Sequence, residues 1–265
     1  MDTVRYAEFA PSPRFAAVVE RYWILEGRGS GVPEPILPDG RTELIFHFGA
    51  PFRHHRTDGT SEPQPEAIFA GQITGPVFLS HESAGVAAIR LRPAAGRAVL
   101  GMPASGLTGE LAPLDAIFAA TSRLAERLAE AGSDAMRIAL LEEWLGARRI
   151  GDPRPEVEAA VAAILSTGGA APVETLTALT GLSRRQLERA FQHEVGLPPK
   201  SLARIVRLQR AVRLVRRGRR LADVALACGF YDQAHMALDF RRLALAPAST
   251  WLHRDGALSV LLSGG

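Results

Sequence analysis

Cysteine, lysine and long apolar runs are nearly missing from this chain. Its one cysteine, Cys228, excludes an internal disulfide framework. Because that residue sits within an apolar helical pattern, we expect a buried structural thiol there. Lys200 is the only lysine, so arginine carries almost all of the positive charge. No apolar run reaches the roughly 18 residues of a membrane-spanning helix. The opening Met1-Asp-Thr-Val-Arg-Tyr-Ala-Glu8 has neither the order nor the apolar tract of a signal peptide. We therefore expect a soluble, cytoplasmic protein without membrane contact. Nucleophile elbows, phosphate-binding loops and metal-ligand spacings are also missing. The adjacent pair His54-His55 has no third ligand at a recognisable spacing, so no metal site and no cofactor is expected.

What is present divides in two. A chain of 265 residues that is 47% hydrophobic can bury two cores. Residues 1–150 carry 15 Lys+Arg against 18 Asp+Glu, a net of −3, whereas residues 151–265 carry 16 against 10, a net of +6. The basic half suits a polyanionic partner. Between the halves, Arg148-Arg-Ile-Gly151-Asp-Pro153-Arg-Pro155 has the glycine and prolines of a linker, which puts the boundary near residue 151.

The basic half holds two helix-turn-helix patterns whose turn glycines, Gly181 and Gly229, lie 48 positions apart. In the first, Ser183 and Gln186 have capping-box spacing. Leu187 and Phe191 point inward there, while Arg184, Arg185, Glu188 and Arg189 point outward. In the second, Asp232 caps a helix whose Met236 and Phe240 face a core. One longer helix, Ser201 to Arg217, joins the two units through Leu202, Ile205, Val206, Gln209, Val212 and Leu214.

This ordered pair, with Gly229-Phe-Tyr-Asp-Gln-Ala-His235 and then Phe240-Arg-Arg242, closely resembles the AraC/XylS family of transcription regulators from about Pro155 to Leu252. The resemblance implies a bacterial, DNA-binding regulator, not an enzyme, that activates more often than it represses. Each second helix would enter a major-groove segment of one double-stranded DNA. It puts Arg185, Glu188 and Arg189 on the groove side and Arg184 near phosphate. The two arginines read guanine or hold phosphate, and Glu188 either accepts from cytosine or orients an arginine. In the second unit Ala234, His235 and Leu238 occupy the reading face. They contact thymine methyls and a base or phosphate, or else the unit grips backbone mainly through Arg241 and Arg242. Relatives usually carry glycine near Ala244, so the turn after Arg242 is expected to be strained. Further candidate partners are RNA polymerase, a small-molecule effector and a second copy of the chain.

The other half reads as α+β: a small β barrel or sandwich to about residue 92, with added helices over about 111–147. Strands are expected at Tyr22–Leu25, Thr42–Gly49, Ala67–Ala70, Val77–Leu79 and Val86–Leu91. A short helix is expected from Pro13 and a surface loop over Pro51–Pro65. A longer helix should run from Leu111 toward Ala131 and another from a Ser133 cap. The last two have apolar surface enough to cover the sheet or to pair with a second subunit. Pro11-Ser-Pro, Tyr22-Trp, Leu37-Pro-Asp-Gly40, Gly71-Gln-x-Thr-Gly-Pro76 and Arg90-x-Arg-Pro93 resemble an uncharacterised N-terminal domain found on a subgroup of AraC-type regulators. That resemblance implies a regulatory role and names no ligand. Trp23, Arg41, Glu43 and His47 are the candidate lining of an effector site, while Asp39, Glu43, His47 and His81 have no catalytic surroundings. Two other readings are kept open: assembly through residues 107–148 without a ligand, and an enzyme fused to a DNA-binding module. Residues 257–265 read as a tail.

Overall fold

A computed structural model describes residues 3–118 and 121–251. The expectations for Leu252 and for the 257–265 tail lie outside the described residues. The first half is built on two antiparallel sheets. β1 (Thr3–Phe9), β2 (Val19–Arg28), β3 (Glu34–Ile36), β4 (Glu43–His47), β5 (Arg53–His55), β6 (Ser61–Pro63), β7 (Ala67–Ala70), β8 (Val77–Ser80), β9 (Ser83–Leu91) and β10 (Leu111–Pro113) form them. The strand order is β1-β2-β9-β4-β7-β10 in the larger sheet and β3-β8-β5-β6 in the smaller.

Side chains alternate across a strand, and the continuous apolar run Tyr22-Trp-Ile-Leu25 is the consequence of burial on both faces. Tyr22 and Ile24, with Leu44, Phe46 and Ile89 of the neighbouring strands, face a helical layer. Trp23 and Leu25, with Val86 and Ala88, face the second sheet, where Phe52 and Leu79 meet them. The helical layer is α1 (Gly96–Leu100), α2 (Ser122–Glu130) and α3 (Asp134–Gly146). Ser133 caps α3 by accepting from the Met136 N–H, and Leu140, Leu141, Trp144 and Leu145 cover the large sheet. That choice between the sheet and a second subunit is thus made, for these side chains, in favour of the sheet.

Several local expectations change. The segment after Pro13 makes only turns, with Val18 and Val19 N–H donating to the Phe15 carbonyl before Val19 enters β2. The expected loop at Pro51–Pro65 contains the hairpin β5–β6, in which His54 pairs with Glu62 on one side and Leu79 on the other. Its polar residues gave no apolar period because β6 is an exposed edge. The helical stretch expected from 111 begins instead with β10, paired to β7. Pro113 closes that strand, a 3-10 turn follows at Leu114–Ala116, and α2 starts at Ser122.

The second half is helical: α4 (Pro155–Ser166), α5 (Val173–Thr180), α6 (Arg184–Glu194), α7 (Pro199–Arg216), α8 (Leu221–Ala227) and α9 (Gln233–Ala244). α5 and α6 with α4 and the front of α7 share one core, which includes Leu176, Leu187, Phe191 and Leu202. α8 and α9 with the rest of α7 share another, around Val224, Phe230, Phe240 and Trp251. Cys228 lies in this second core at 1% exposure, and burial pushes its thiol pKa up. Leu208, Ala211 and Val215 complete the buried stripe of α7, and Leu214 packs half-buried at its edge.

The two halves are packed together. Leu37, just beyond β3, is 1% exposed inside the core of α7, α8 and α9. The buried Gln209 amide of α7 donates to the Pro38 carbonyl at 2.6 Å. Gly40 follows at φ +78°, and a Cβ there would stand 2.7 Å from Leu202 Cδ1, so only glycine lets the turn lie against α7. On the other side Arg97 pairs with Glu194 at 2.8 Å, and Thr108 donates to the Gly196 carbonyl at 2.7 Å.

Candidate nucleic-acid interface and effector cavity

In the first helix-turn-helix unit Gly181 ends α5 in the left-handed region, at φ +68°, and Gly229 at +70° follows α8 in the same way. Ser183 then caps α6 with both arms of the capping box in place. Leu187 and Phe191 are fully buried, which turns Arg184, Arg185, Glu188 and Arg189 to solvent. Arg184 and Glu188, one turn apart, pair at 3.2 Å. Glu188 is therefore engaged by an arginine of its own helix, which leaves Arg185 and Arg189 as the guanidinium groups of this face with no hydrogen-bond or ion-pair partner among the described residues.

In the second unit Asp232 accepts from the His235 N–H at 2.7 Å and fixes the start of α9. Ala234, His235, Leu238, Arg241 and Arg242 are exposed, with Leu238 at 57%. His235 stands edge-on to Phe230, and its Nδ1 accepts from the Tyr231 N–H at 3.4 Å. In the neutral ring that leaves the proton on Nε2, free to donate outward. Tyr231, next to the cap, is 92% exposed, an uncommon state for a large aromatic side chain. Sequence reasoning passed over it, although its place directly before the α9 N-cap was the available signal.

Between the units, Arg184, Lys200, Arg204, Arg207, His235, Leu238 and Arg242 line one cleft of about 650 Å³. Two of these arginines are structural. Arg204 Nε donates to the buried Asp239 carboxylate of α9 at 3.0 Å. Arg207 donates to the Gly169 carbonyl at 2.9 Å and lies over the Phe230 ring. These contacts tie α7 to both units.

The fold brings Trp23, Arg41 and Glu43 close to one another and sets His47 apart. Trp23, Glu43 and His47 all project between the two sheets, but Trp23 is fully buried and donates its Nε1–H to Glu43 Oε1 at 2.9 Å. His47 lies two residue pairs further along β4, hydrogen-bonded to Gln64 Oε1 at 3.1 Å and edge-on to Phe52. Burial pulls its pKa down to about 4. Neither lines the small apolar cavity of about 60 Å³ between the sheets, which Arg41 and Glu43 do line. Glu43 also accepts from the buried Arg90 at 2.6 Å, and Asp39 lies 3.4 Å from Arg90. Burial works against the Arg90 charge, and the fields of Glu43 and Asp39 overcome it and raise its pKa. His81 lies against Phe52, with ring centroids 5.2 Å apart. Among the described residues no group of His, Cys, Asp and Glu is arranged to hold a metal ion, and no helix is long and apolar enough to cross a membrane.

Comparison with known proteins follows the same division. A domain of unknown function, DUF6597, matches residues 7–113, and a helix-turn-helix domain matches residues 176–254. The uncharacterised HTH-type transcriptional regulator YbfI of Bacillus subtilis is 39% identical over 61 residues, which are 23% of this chain and 22% of that protein. The HTH-type transcriptional regulator MtrA of Neisseria gonorrhoeae is 32% identical over 71 residues, 26% of this chain and 24% of that one. The chain thus spans less than a quarter of the length of the curated relatives it matches. A solved structure of a probable AraC family transcriptional regulator from Rhodopseudomonas palustris is 34% identical and covers 38% of this chain and 97% of its own, with a TM-score of 0.35. With two capped helix-turn-helix units joined by α7, and that identity across nearly the whole of the Rhodopseudomonas chain, this protein belongs to the AraC family of helix-turn-helix transcription regulators.

Proposed function

We propose that the protein is a cytoplasmic, sequence-specific DNA-binding regulator of transcription, with residues 1–150 receiving a signal and residues 151–256 binding double-stranded DNA. The observation that carries this reading is the pair of cap-defined, outward-facing helices α6 and α9, both locked onto one helix, α7, in a half whose net charge is +6. Arg185 and Arg189 read bases in one major-groove segment, and guanine is their natural target because a guanidinium can bridge O6 and N7. Arg184 holds phosphate. In the second segment Ala234 and Leu238 contact thymine methyls, His235 donates through Nε2, and Arg241 and Arg242 grip the backbone. Tyr231 adds an aromatic contact at the entrance of α9.

The test is selection from a pool of randomised duplexes with the full chain. An enriched motif with two separated blocks is expected, and the Arg185→Ala/Arg189→Ala variant should lose one block while keeping the other. A pool that shows no enrichment over several rounds at moderate salt would sink the reading. Loss of the second block alone would assign the first-unit roles wrongly.

A further inference from the structure

A second cavity lies outside the sheets, where the Asp39–Arg41 turn of the first half faces α7 and the turn after α4. It has a volume of about 480 Å³, the size range of small-molecule sites. Its walls are polar, and its charges are unevenly partnered. On the sheet side each arginine has a carboxylate: Arg21 with Glu8 at 2.7 Å, Arg41 with Glu20 at 2.6 Å, and Arg90 with Glu43 at 2.6 Å. On the α7 side Arg210 and Arg213, one turn apart, have no hydrogen-bond or ion-pair partner among the described residues. Arg210 lies over Gly168, where a Cβ would come within 2.9 Å of its Nη1, so the missing side chain makes room for the guanidinium. Arg213 titrates below its ordinary range, first through desolvation and then through the positive fields of Arg217 and Arg41. Arginines from both halves of the molecule therefore converge on one polar cavity, in which the carboxylates of Glu20 and Asp39 are already engaged by Arg41 and Arg90 on the sheet side.

We propose that this cleft is an effector site for a small polar oxyanion, a multiply charged carboxylate or phosphate compound, held by Arg210 and Arg213 of α7 and Arg41 of the sheet side. Paired guanidinium forks match the geometry of such groups better than any other side chain. Glu20 and Asp39, which also line the cleft, can accept from hydroxyl groups on the ligand body. A bound anion bridges the turn that carries Leu37 and Pro38 to the helix that positions both reading units, so its occupancy is felt at α7. This regulatory consequence rests on the DNA-binding reading above; binding of the anion does not.

The experiment is calorimetric titration of the full chain, without DNA and at low salt, with citrate as the carboxylate probe and inorganic pyrophosphate as the phosphate probe. Saturable one-to-one binding of either is expected, and the probe that binds tells carboxylate from phosphate. Arg210→Gln and Arg213→Gln should each weaken it at least tenfold, while Arg213→Lys, which keeps the charge, should weaken it less. Arg185→Ala/Arg189→Ala, on the reading helix, should leave it unchanged. Absence of binding by both probes at millimolar concentration overturns the proposal. So does binding that survives both glutamine variants or disappears in the reading-helix variant. Because no DNA is present, failure here leaves the duplex-selection result standing, and the reverse holds as well.

Discussion

Leu37 belongs by sequence to the first half and by packing to the second, and substituting it tests whether that contact matters. The side chain is 1% exposed and packs with Ile205, Leu208 and Val212 of α7 and with the α9 core around Phe240. Leu37→Ala removes three buried carbons and leaves a void that the rigid helices on either side can close only in part. The combined transfer and cavity cost is about 3 kcal/mol, near the lower end for buried leucines, because one side of Leu37 already borders the cavity between the sheets. Since each 1.4 kcal/mol is a factor of ten, amides of α7 and α9 should exchange with deuterated solvent about a hundredfold faster. Leu44→Ala is the matched comparison, because Leu44 is fully buried in a core that contains no residue of α7, α8 or α9. The expected result is that Leu37→Ala loosens α7 and α9 more than Leu44→Ala does. If the two variants affect those helices equally, or if Leu37→Ala acts only on the sheets, the first half does not support the second and the argument fails.

Three further outcomes follow from single observations. Leu245 closes α9 at φ +50° and is 60% exposed, so Leu245→Gly should relieve left-handed strain without loss of packing and raise stability by about 1 kcal/mol in urea denaturation. His47 is held neutral by burial, with its pKa lowered to about 4, so protons bind the unfolded chain first as the pH falls below about 6.5. Stability should therefore be complete above pH 6.5 and decline by about 3 kcal/mol toward pH 4, and His47→Gln should flatten that decline in chemical denaturation at stepped pH. Arg241→Ala, at an exposed position to which we assign a phosphate contact, should weaken binding to all duplexes alike and reduce the slope of log affinity against log salt by about 1. A change confined to one sequence would make Arg241 a base reader instead.

The parts of the molecule that were legible in the sequence are those set by short-range chemistry. The capping box of Ser183 and Gln186, the Asp232 cap and the left-handed glycines at 181 and 229 depend on neighbours within four residues, and all have the expected geometry. The expected strain after Arg242 falls on Leu245, because the α9 helix runs on to Ala244 before it turns. What was not legible depends on distant pairing. β1 was missed because its Tyr6 and Phe9 acquire meaning only opposite Leu25 and Tyr22. The β5–β6 hairpin is polar because it is an edge, and edges do not advertise themselves by apolar period. Trp23 and His47 drew attention as functional side chains, yet the inward face of the sheets gives each a protein partner and leaves the cavity to Arg41 and Glu43.

The arginines of α7 show why spacing alone misleads. Arg204, Arg207, Arg210 and Arg213 recur every third residue, and on a helix of 3.6 residues per turn that repeat drifts by about 60° at each step. In sequence such a run reads only as added positive charge on the linking helix, at least half of it solvated. In the fold it winds halfway round the helix: Arg204 meets Asp239 of α9, Arg207 meets Gly169 beside α5, and Arg210 and Arg213 arrive at the cleft shared with the sheets. One helix thus addresses both reading units with its first arginines and the effector half with its last. A ligand that draws Arg210 and Arg213 toward Arg41 would act on the same helix that Arg204 ties to α9 and Arg207 ties to the turn before α5. The drift of the run therefore brings one helix to both reading units and to the sheet side, and on the anion-site proposal the Arg210→Lys/Arg213→Lys variant should retain more citrate or pyrophosphate binding than Arg210→Gln/Arg213→Gln in the same titration.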